Sequence, residues 1–252
     1  MSNRQRNEWI TAHTEQKDLS VLNSEFEHAS PDVILKWSYE EFGTRVVMGT
    51  GFGSSGVVLM HYLSELGLPV QVFTLDTGLL FDQTYKLWKT LERKLRLKVE
   101  RVSPILTLSG QKNRFGENLW QIEPDKCCHI RKVLPLKKYL SNKEGWITGL
   151  RRSQSEYRES TRKIEWDATN QVYKINPLAD WDQEEIWWYI NKHDLPYNPL
   201  HDEGFPSIGC FPCTSPVEEG EDERAGRWKN LQKTECGIHV PDFNPAKRSS
   251  AE

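Results

Sequence analysis

Five cysteines carry the most readable chemistry in the chain: Cys127 beside Cys128, Cys210 and Cys213 in a C-x-x-C pair, and Cys236 alone in Glu235-Cys236-Gly237-Ile238-His239. Four paired thiols plus one remainder is the simplest partition. Four thiolates converging on one point suit a tetrahedral zinc or an iron–sulfur cluster, because both bind soft sulfur strongly. Zinc sites usually draw their ligand pairs from short C-x-x-C knuckles. Neighbours such as Cys127 and Cys128 point in divergent directions and suit a larger object with separated metal corners, so the cluster is the favoured reading. The plainer alternative is two buried small side chains at the start of a helix. A thioredoxin-like redox pair at Cys210 and Cys213 needs a strand before it and a helix after it; Pro206, Gly209, Pro212 and Pro216 indicate a loop.

Cys236 differs from the other four. A thiolate is a strong nucleophile, and Gly237 beside it lets a substrate come close. Glu235 opposes ionisation, so a cation from His239 or an arginine must offset it. Taken alone, a tail cysteine is also compatible with no role.

Other segments offer places for an anion. Gly49-Thr50-Gly51-Phe52-Gly53-Ser54-Ser55-Gly56 lies between a predicted strand and helix, where bare amides and the helix dipole hold negative charge. It has neither the Gly-Lys-Ser/Thr ending of a Walker loop nor the acid of a dinucleotide fingerprint, and a tight strand-to-helix turn is the alternative. Asp76-Thr77-Gly78 ends the next predicted strand, where Asp76 meets a ribose or an adenine amine, or caps a helix. Arg151, Arg152 and Arg158 lie with Ser153 and Ser155 on a loop after Trp146, and arginine forks suit phosphate or sulfate oxygens. Glu156 and Glu159 could instead pair with them in a solvated loop. Arg131 and Lys132 stand one turn past Cys128, where cations offset thiolate charge; Arg224 and Arg227 precede Trp228 and alone read as surface charges.

Elements must position these groups. Val46 to Met48, Val70 to Leu75, Lys98 to Val102 and Trp146 to Thr148 read as strands. Helical spacing runs through Val57, Leu59, Leu63 and Leu66, and again through Tyr85, Trp88, Leu91 and Leu95. Arg162 to Trp166 with Val172 to Ile175 reads as a hairpin, and Asp182 with Glu185 opens a helix as a capping box. The alternation predicts an α/β fold, a mostly parallel sheet with helices on both faces, whose ligands sit at the carboxyl ends of the strands. Three parts are expected: residues 1–30 as a loose arm or peripheral helix with Leu19, Leu22 and Phe26, 31–205 as a nucleotide-binding domain, and 206–252 as a cysteine loop with a flexible, chemistry-bearing tail.

The 252 residues carry 33 basic against 36 acidic side chains, a balance that argues against a general polyanion binder, nucleic acid included. No apolar run approaches the roughly 18 residues of a membrane span, and the polar opening Met1 to Asp18 has no signal-peptide character. An odd cysteine count without such a signal fits a reducing, cytoplasmic location. Oligomeric state is left open, a homo-oligomer included.

In combination the motifs resemble the assimilatory sulfonucleotide reductases, specifically the iron–sulfur type that reduces adenosine 5'-phosphosulfate, from about Val46 to His239. The resemblance rests on Cys127-Cys128, Cys210-Phe-Pro-Cys213, Leu75-Asp76-Thr77-Gly78, Gly149-Leu150-Arg151-Arg152-Ser153-Gln154-Ser155, Arg224-Ala-Gly-Arg227-Trp228 and Glu235-Cys236-Gly237-Ile238-His239. It implies an adenine-nucleotide alpha-hydrolase type fold, a 4Fe-4S cluster on Cys127, Cys128, Cys210 and Cys213, and a nucleophile at Cys236. It further implies that Lys132 lies between cluster and substrate, that Arg151, Arg224, Arg227 and His239 hold the phosphosulfate, and that Gly51, Phe52, Gly53, Ser54, Ser55, Asp76, Thr77, Gly78 and Ser153 complete the substrate site. The loop departs from the Ser-Gly-Gly-x-Asp-Ser of related ATP pyrophosphatases, which weakens an ATP-cleaving reading. If four cysteines are ligands, no thiol remains to resolve an adduct on Cys236, so thioredoxin or a similar dithiol is the implied partner. Two rivals stand: a reductase of the 3'-phosphorylated nucleotide, the usual substrate of family members lacking the cluster, and a zinc-stabilised nucleic-acid or nucleotide-binding module in which Cys236 is idle.

Overall fold

Alternate residues of each central strand feed opposite cores, as a two-residue repeat requires. In the computed structural model, which describes residues 18–218, 220–229, 231, 233, 235–240 and 243, Val46, Met48, Val72, Val99, Ile147 and Ile175 face one hydrophobic core. Val47, Phe73, Val102, Trp146 and Val172 face the other. The first core is closed by helices Leu19–Phe26, Pro31–Phe42, Ser54–Glu65, Asp82–Leu95 and Gln183–Lys192. The second is closed by Leu136 and Leu140 of helix Leu134–Leu140.

The strands are β1 Val46–Gly49, β2 Gln71–Leu75, β3 Val99–Val102, β4 Gly145–Ile147, β5 Ile164–Asp167 and β6 Val172–Ile175, arranged β3-β2-β1-β4-β6-β5. Every neighbouring pair is parallel except the β5–β6 hairpin. The chain leaves β1 toward β2 and β3 and later returns to β4 on β1's other flank. Such a reversal opens a crevice at the carboxyl ends of the two central strands. The predicted strands and hairpin are present within a residue or two, and the Asp182 box forms, with Glu185 N–H donating to the Asp182 carboxylate at 2.8 Å and Asp182 N–H to the Glu185 carboxylate at 2.8 Å.

Of the two readings for the amino-terminal part, residues 19–26 form the peripheral helix, docked on β5 through Asn23, whose amide nitrogen donates to the Ile164 carbonyl (2.8 Å) and whose oxygen accepts from its N–H (3.0 Å); the rest of that stretch lies outside the described residues. Cys127 and Cys128 close a helix, Pro124–Cys128, rather than opening one. The turn after it, His129–Val133, is a π-helix that leads into helix Leu134–Leu140. Pro135 accounts for it: without an N–H, and with a ring that would press on the carbonyl one turn back, proline favours local widening of the preceding turn. The cysteine loop is tied to the core by a bridge between Leu80 and Cys210 and to the tail by one between Thr214 and Arg227. Among the described residues no helix is long and apolar enough to cross a membrane.

Candidate active site

A cavity of about 260 Å³ opens at the carboxyl ends of β1, β2 and β4. Its floor is Thr50, Gly51 and Gly53 of the loop after β1 with the first turn of helix Ser54–Glu65, its walls are Thr74, Leu75 and Thr77 and the segment Thr148 to Leu150, and its roof is the tail around Cys236. Ligand pockets usually measure about 300–1,000 Å³, and this one, with the tail as its roof, lies just below that range. Gly149 lets the walls meet: a Cβ there would stand 3.0 Å from Ser55 Cβ. The unpaired amides and dipole of the helix's first turn favour an anion at the floor.

The cations come from elsewhere. Lys132, Arg158, Arg224 and Arg227 all line the cavity. Arg158 forks onto Glu235, Nε donating to Oε1 at 2.8 Å and Nη2 to Oε2 at 2.9 Å, while Arg224 Nη2 donates to the same Oε2 at 3.1 Å. Burial, then the nearby Arg158 and Arg227 guanidiniums, push Arg224 down to about 10. The Arg227 guanidinium stacks on Trp228 at 4.6 Å, and its Nε, like Trp146 Nε1 and His239 Nδ1, is buried without a hydrogen-bond partner among the described residues. Buried polar atoms are rarely left unpaired, and these three belong to residues that line the cavity. Gly209 gives Arg227 its room, since a Cβ there would lie 2.3 Å from Nη2.

Beside this cavity lies a smaller one lined by Cys127, Cys128, Cys210, Cys213, Arg131, Lys132 and Trp228 among others. All five cysteines are free thiols. Burial first, then neighbouring thiols, push Cys127 up to about 12 and Cys213 up to about 11. Thr77 Oγ1 stands 3.3 Å from Cys210 Sγ, and the Arg131 Nε donates to the Thr77 carbonyl at 2.5 Å, so the β2 end braces the cysteine loop. Among the described residues no three or more His, Cys, Asp or Glu side chains are grouped to hold a metal ion; the four thiols surround a space instead. Lys132 belongs to the walls of both cavities.

Cys236 lines the larger cavity and packs on Cys128 and Trp228. Burial opposes its ionisation and Glu235 adds to that, but the Lys132 ammonium, the Ile238 backbone N–H and Arg227 outweigh both and hold the thiol below its ordinary value. The offsetting cation is therefore not His239. Burial, with Lys174, Arg158 and Arg224 nearby, holds that imidazole well below its usual range, so it is neutral, stacked on Trp146 at 5.2 Å and 11°.

The structure thus brings Gly51, Gly53, Ser54, Ser55, Thr77, Lys132, Arg224, Arg227, Cys236 and His239 to one cavity, and Cys127, Cys128, Cys210 and Cys213 to the next. It does not bring Phe52, Asp76, Gly78, Arg151 or Ser153 to the cavity wall. Phe52 is buried on Trp88 with ring centroids 5.4 Å apart. Asp76 accepts from Gly78 N–H (2.9 Å) and Tyr85 Oη (2.6 Å) and pairs with Arg101 (3.2 Å), closing the turn that contains Gly78. Arg151 is fully buried, donating to Ser55, Ser153, Gln183 and Glu223, which makes it a brace between loops; Ser153 serves it as an acceptor at 2.8 Å. Arg158, read as a fork for anion oxygens, forks onto Glu235 instead, and Glu235, read only as opposing the thiolate, was not expected as its partner. Their only sequence signal was an arginine in the loop after β4 and an acid beside the cysteine.

The family model for the phosphoadenosine phosphosulfate reductase domain matches residues 45–216. The chain is 49% identical over 223 residues to an adenosine 5'-phosphosulfate reductase of Salinibacter ruber, covering 88% of each chain. It is 43% identical over 225 residues to one of Halalkalibacterium halodurans, covering 89% of this chain and 97% of that one. Its fold is similar to the crystal structure of a phosphoadenylyl-sulfate reductase from Candida auris in a phosphate complex, with TM-score 0.71, 29% identity, and 81% of this chain and 98% of that one covered. A Candida glabrata FMN adenylyltransferase shares the fold at TM-score 0.53 and 15% identity, over 96% and 85% of the two chains.

Gly209→Ala should push the Arg227 guanidinium out of the cavity. Calorimetry with inorganic sulfate is expected to read binding weakened about tenfold or more, the worth of one hydrogen bond to a charged group, at little cost in melting temperature; unchanged affinity would show that Arg227 does not serve the anion.

Proposed function

The chain belongs to the phosphoadenosine phosphosulfate reductase family, and from that premise we propose that it reduces adenosine 5'-phosphosulfate to sulfite and AMP, using Cys236 as nucleophile and an external dithiol such as thioredoxin as reductant. One observation carries the reading: a fifth cysteine stands outside the four-thiol cavity, in a second cavity ringed by Lys132, Arg158, Arg224 and Arg227.

The Cys236 thiolate attacks the sulfur of the sulfuryl group, an S–S bond forms, the S–O bond to the phosphate breaks, and AMP departs with that electron pair. Anion meets anion in this step, so cations must neutralise the sulfate and the charge moving onto the leaving oxygen. Arg224 and Arg227 are placed for the two anionic groups, and Lys132 for the thiolate. Neutral His239, fixed on Trp146, offers a hydrogen bond without adding charge. The floor, Gly51, Gly53, Ser54 and Ser55, and the Thr77 wall would take the nucleotide. Cys236 then carries a sulfonate. All five cysteines of the chain are accounted for if four are ligands, so one thiolate of the external dithiol attacks Cys236 Sγ and releases sulfite, and its second thiol closes the dithiol's disulfide and frees Cys236.

Cys127, Cys128, Cys210 and Cys213 would hold a 4Fe-4S cluster, for which four soft donors around a shared space are suited. When bound, the cluster supplies negative charge and rigidity next to Lys132, since the dithiol provides both electrons.

The relatives favour the nucleotide without a 3'-phosphate, since the chain is 49% and 43% identical to two adenosine 5'-phosphosulfate reductases. Arg151 is no spare cation for a further phosphate, because it pairs with Glu223 at 3.1 Å.

Cys236→Ser is expected to abolish sulfite release while keeping nucleotide binding and iron, and mass spectrometry of the parent mixed with substrate before any reductant should find the sulfonate on Cys236; sulfite release by the serine variant would sink the nucleophile assignment. In Cys210→Ser the iron-to-protein ratio and visible absorption are expected to collapse, and unchanged iron would remove Cys210 from the ligand set. Values of kcat/KM should favour the unphosphorylated nucleotide by about 10- to 100-fold, the cost of burying an unpartnered phosphate; parity would reverse the substrate choice.

A further inference from the structure

A carboxylate beside a nucleophilic thiol is an odd neighbour, because its charge opposes the thiolate. Glu235 nevertheless stands one residue before Cys236 and is buried at 2% exposure. What it gains there is grip. The Arg158 fork and Arg224 take both of its oxygens. Each of Arg158's three guanidinium nitrogens is engaged by the protein: Nε and Nη2 hold Glu235, and Nη1 donates to Gln154 Oε1 at 2.5 Å. This separates it from Arg227, whose Nε has no partner among the described residues.

A second grip lies on the other side of the same stretch. Lys233, three residues before Cys236, is buried with its ammonium paired to Asp125 and standing over the Trp228 and Phe243 rings at 5.3 and 5.5 Å. Asp125 belongs to helix Pro124–Cys128, two residues before Cys127. One grip therefore fastens the thiol's neighbour to the wall of the cation-lined cavity, and the other fastens the same stretch to the helix that carries two of the four paired cysteines.

We propose that Arg158 and Asp125 are positioning residues for the Cys236 thiol: by gripping Glu235 and Lys233 they hold it where the cation-lined cavity meets the four-cysteine cavity. The inference rests on the reading of Cys236 as nucleophile. It also gives the four-cysteine cavity a mechanical link to the reaction, since whatever fixes helix Pro124–Cys128 also fixes the anchor of Lys233.

The test uses the full chain with its iron, in Arg158→Gln, Arg158→Lys, Asp125→Asn, Lys233→Gln, Glu235→Gln and the Arg158→Gln/Glu235→Gln double variant. Carbamidomethylation of Cys236 by iodoacetamide, followed by mass spectrometry without nucleotide, is expected to run about tenfold faster in the Gln and Asn variants, as a thiol released from burial reacts. Turnover is expected to show kcat lower by about 10- to 100-fold, the scale of a small misplacement of a reacting group, with KM within about threefold. Arg158→Lys should recover part of the loss, and the double variant should be no worse than either single one, as for residues acting through one contact. Should Asp125→Asn lose iron, Lys233→Gln tests the same grip from the tail side. Unchanged alkylation, a raised KM at constant kcat, or losses that add in the double variant would each overturn the proposal. A chain inert toward the phosphosulfate would sink the proposed function, and the alkylation rates, which need no turnover, would still decide this inference.

Discussion

A buried ammonium is costly unless anions face it, and Lys132 is the group around which both cavities are arranged. Burial alone would strip its proton, but Cys210, Cys236 and Cys128 reverse that and hold the amine above its ordinary range. The dependence runs both ways, because the same ammonium is the main force bringing Cys236 below its usual value against burial. A thiolate and an ammonium that each need the other's charge fix where the tail must lie. The four-cysteine cavity lies against Lys132 too, and among the described residues no other side chain lines both cavities.

Backbone features put that lysine in place. A continuous α-helix from Pro124 to Leu140 is interrupted at Pro135, and the widened His129–Val133 turn takes up the extra residue. Arg131 faces Thr77, Leu106 and Gln111, while Lys132 reaches both cavities. On the sheet side, the reversal of strand order between β1 and β4 leaves the loop after β1 without a crossover helix above it. Charged groups from the tail occupy that space, where burial first and then repulsion from Arg158 and Arg227 depress Arg224. Glu235 reduces the repulsion without cancelling it, and the remaining positive charge is what an anionic ligand meets.

The strands, their faces and the edge where the site forms were legible because a two-residue alternation such as Val46, Val47, Met48 records which side is buried. The cysteine partition was legible for a similar reason: spacing alone separates two pairs from a remainder. Residues 103–144 were not, since Gly116, Pro124 and Pro135 cut them into helices too short for a periodic signal, and a π turn has no signature in a 3.6-residue repeat. Arg151 was legible as a cation but not as a brace, because its partners Ser55, Gln183 and Glu223 come from three distant segments. Asp76 misled in the same way: its neighbours in space, Tyr85 and Arg101, satisfy it before any ribose could. His239 read as a cation because its composition allows one, and only burial among Lys174, Arg158 and Arg224 makes it neutral.

The division of labour between loop and tail follows from where charge changes during the proposed reaction. Walker-type proteins, which cleave a nucleoside triphosphate, place a lysine at the loop itself. The Gly49 to Gly56 loop has no charged residue, and its amides and helix dipole suffice for a group that binds but does not react. In the proposed reaction the sulfur under attack is bonded to the oxygen that bridges it to phosphorus, and among the described residues the cations that line the cavity come from outside that loop: Lys132 on the π turn, Arg158 after β4, Arg224 and Arg227 before Trp228. Two of these four, Arg224 and Arg227, share a stretch with Cys236. The electrostatic field that would stabilise the departing AMP is therefore complete only when Cys236 is docked, which couples the presence of the thiol to the conditions under which its attack succeeds.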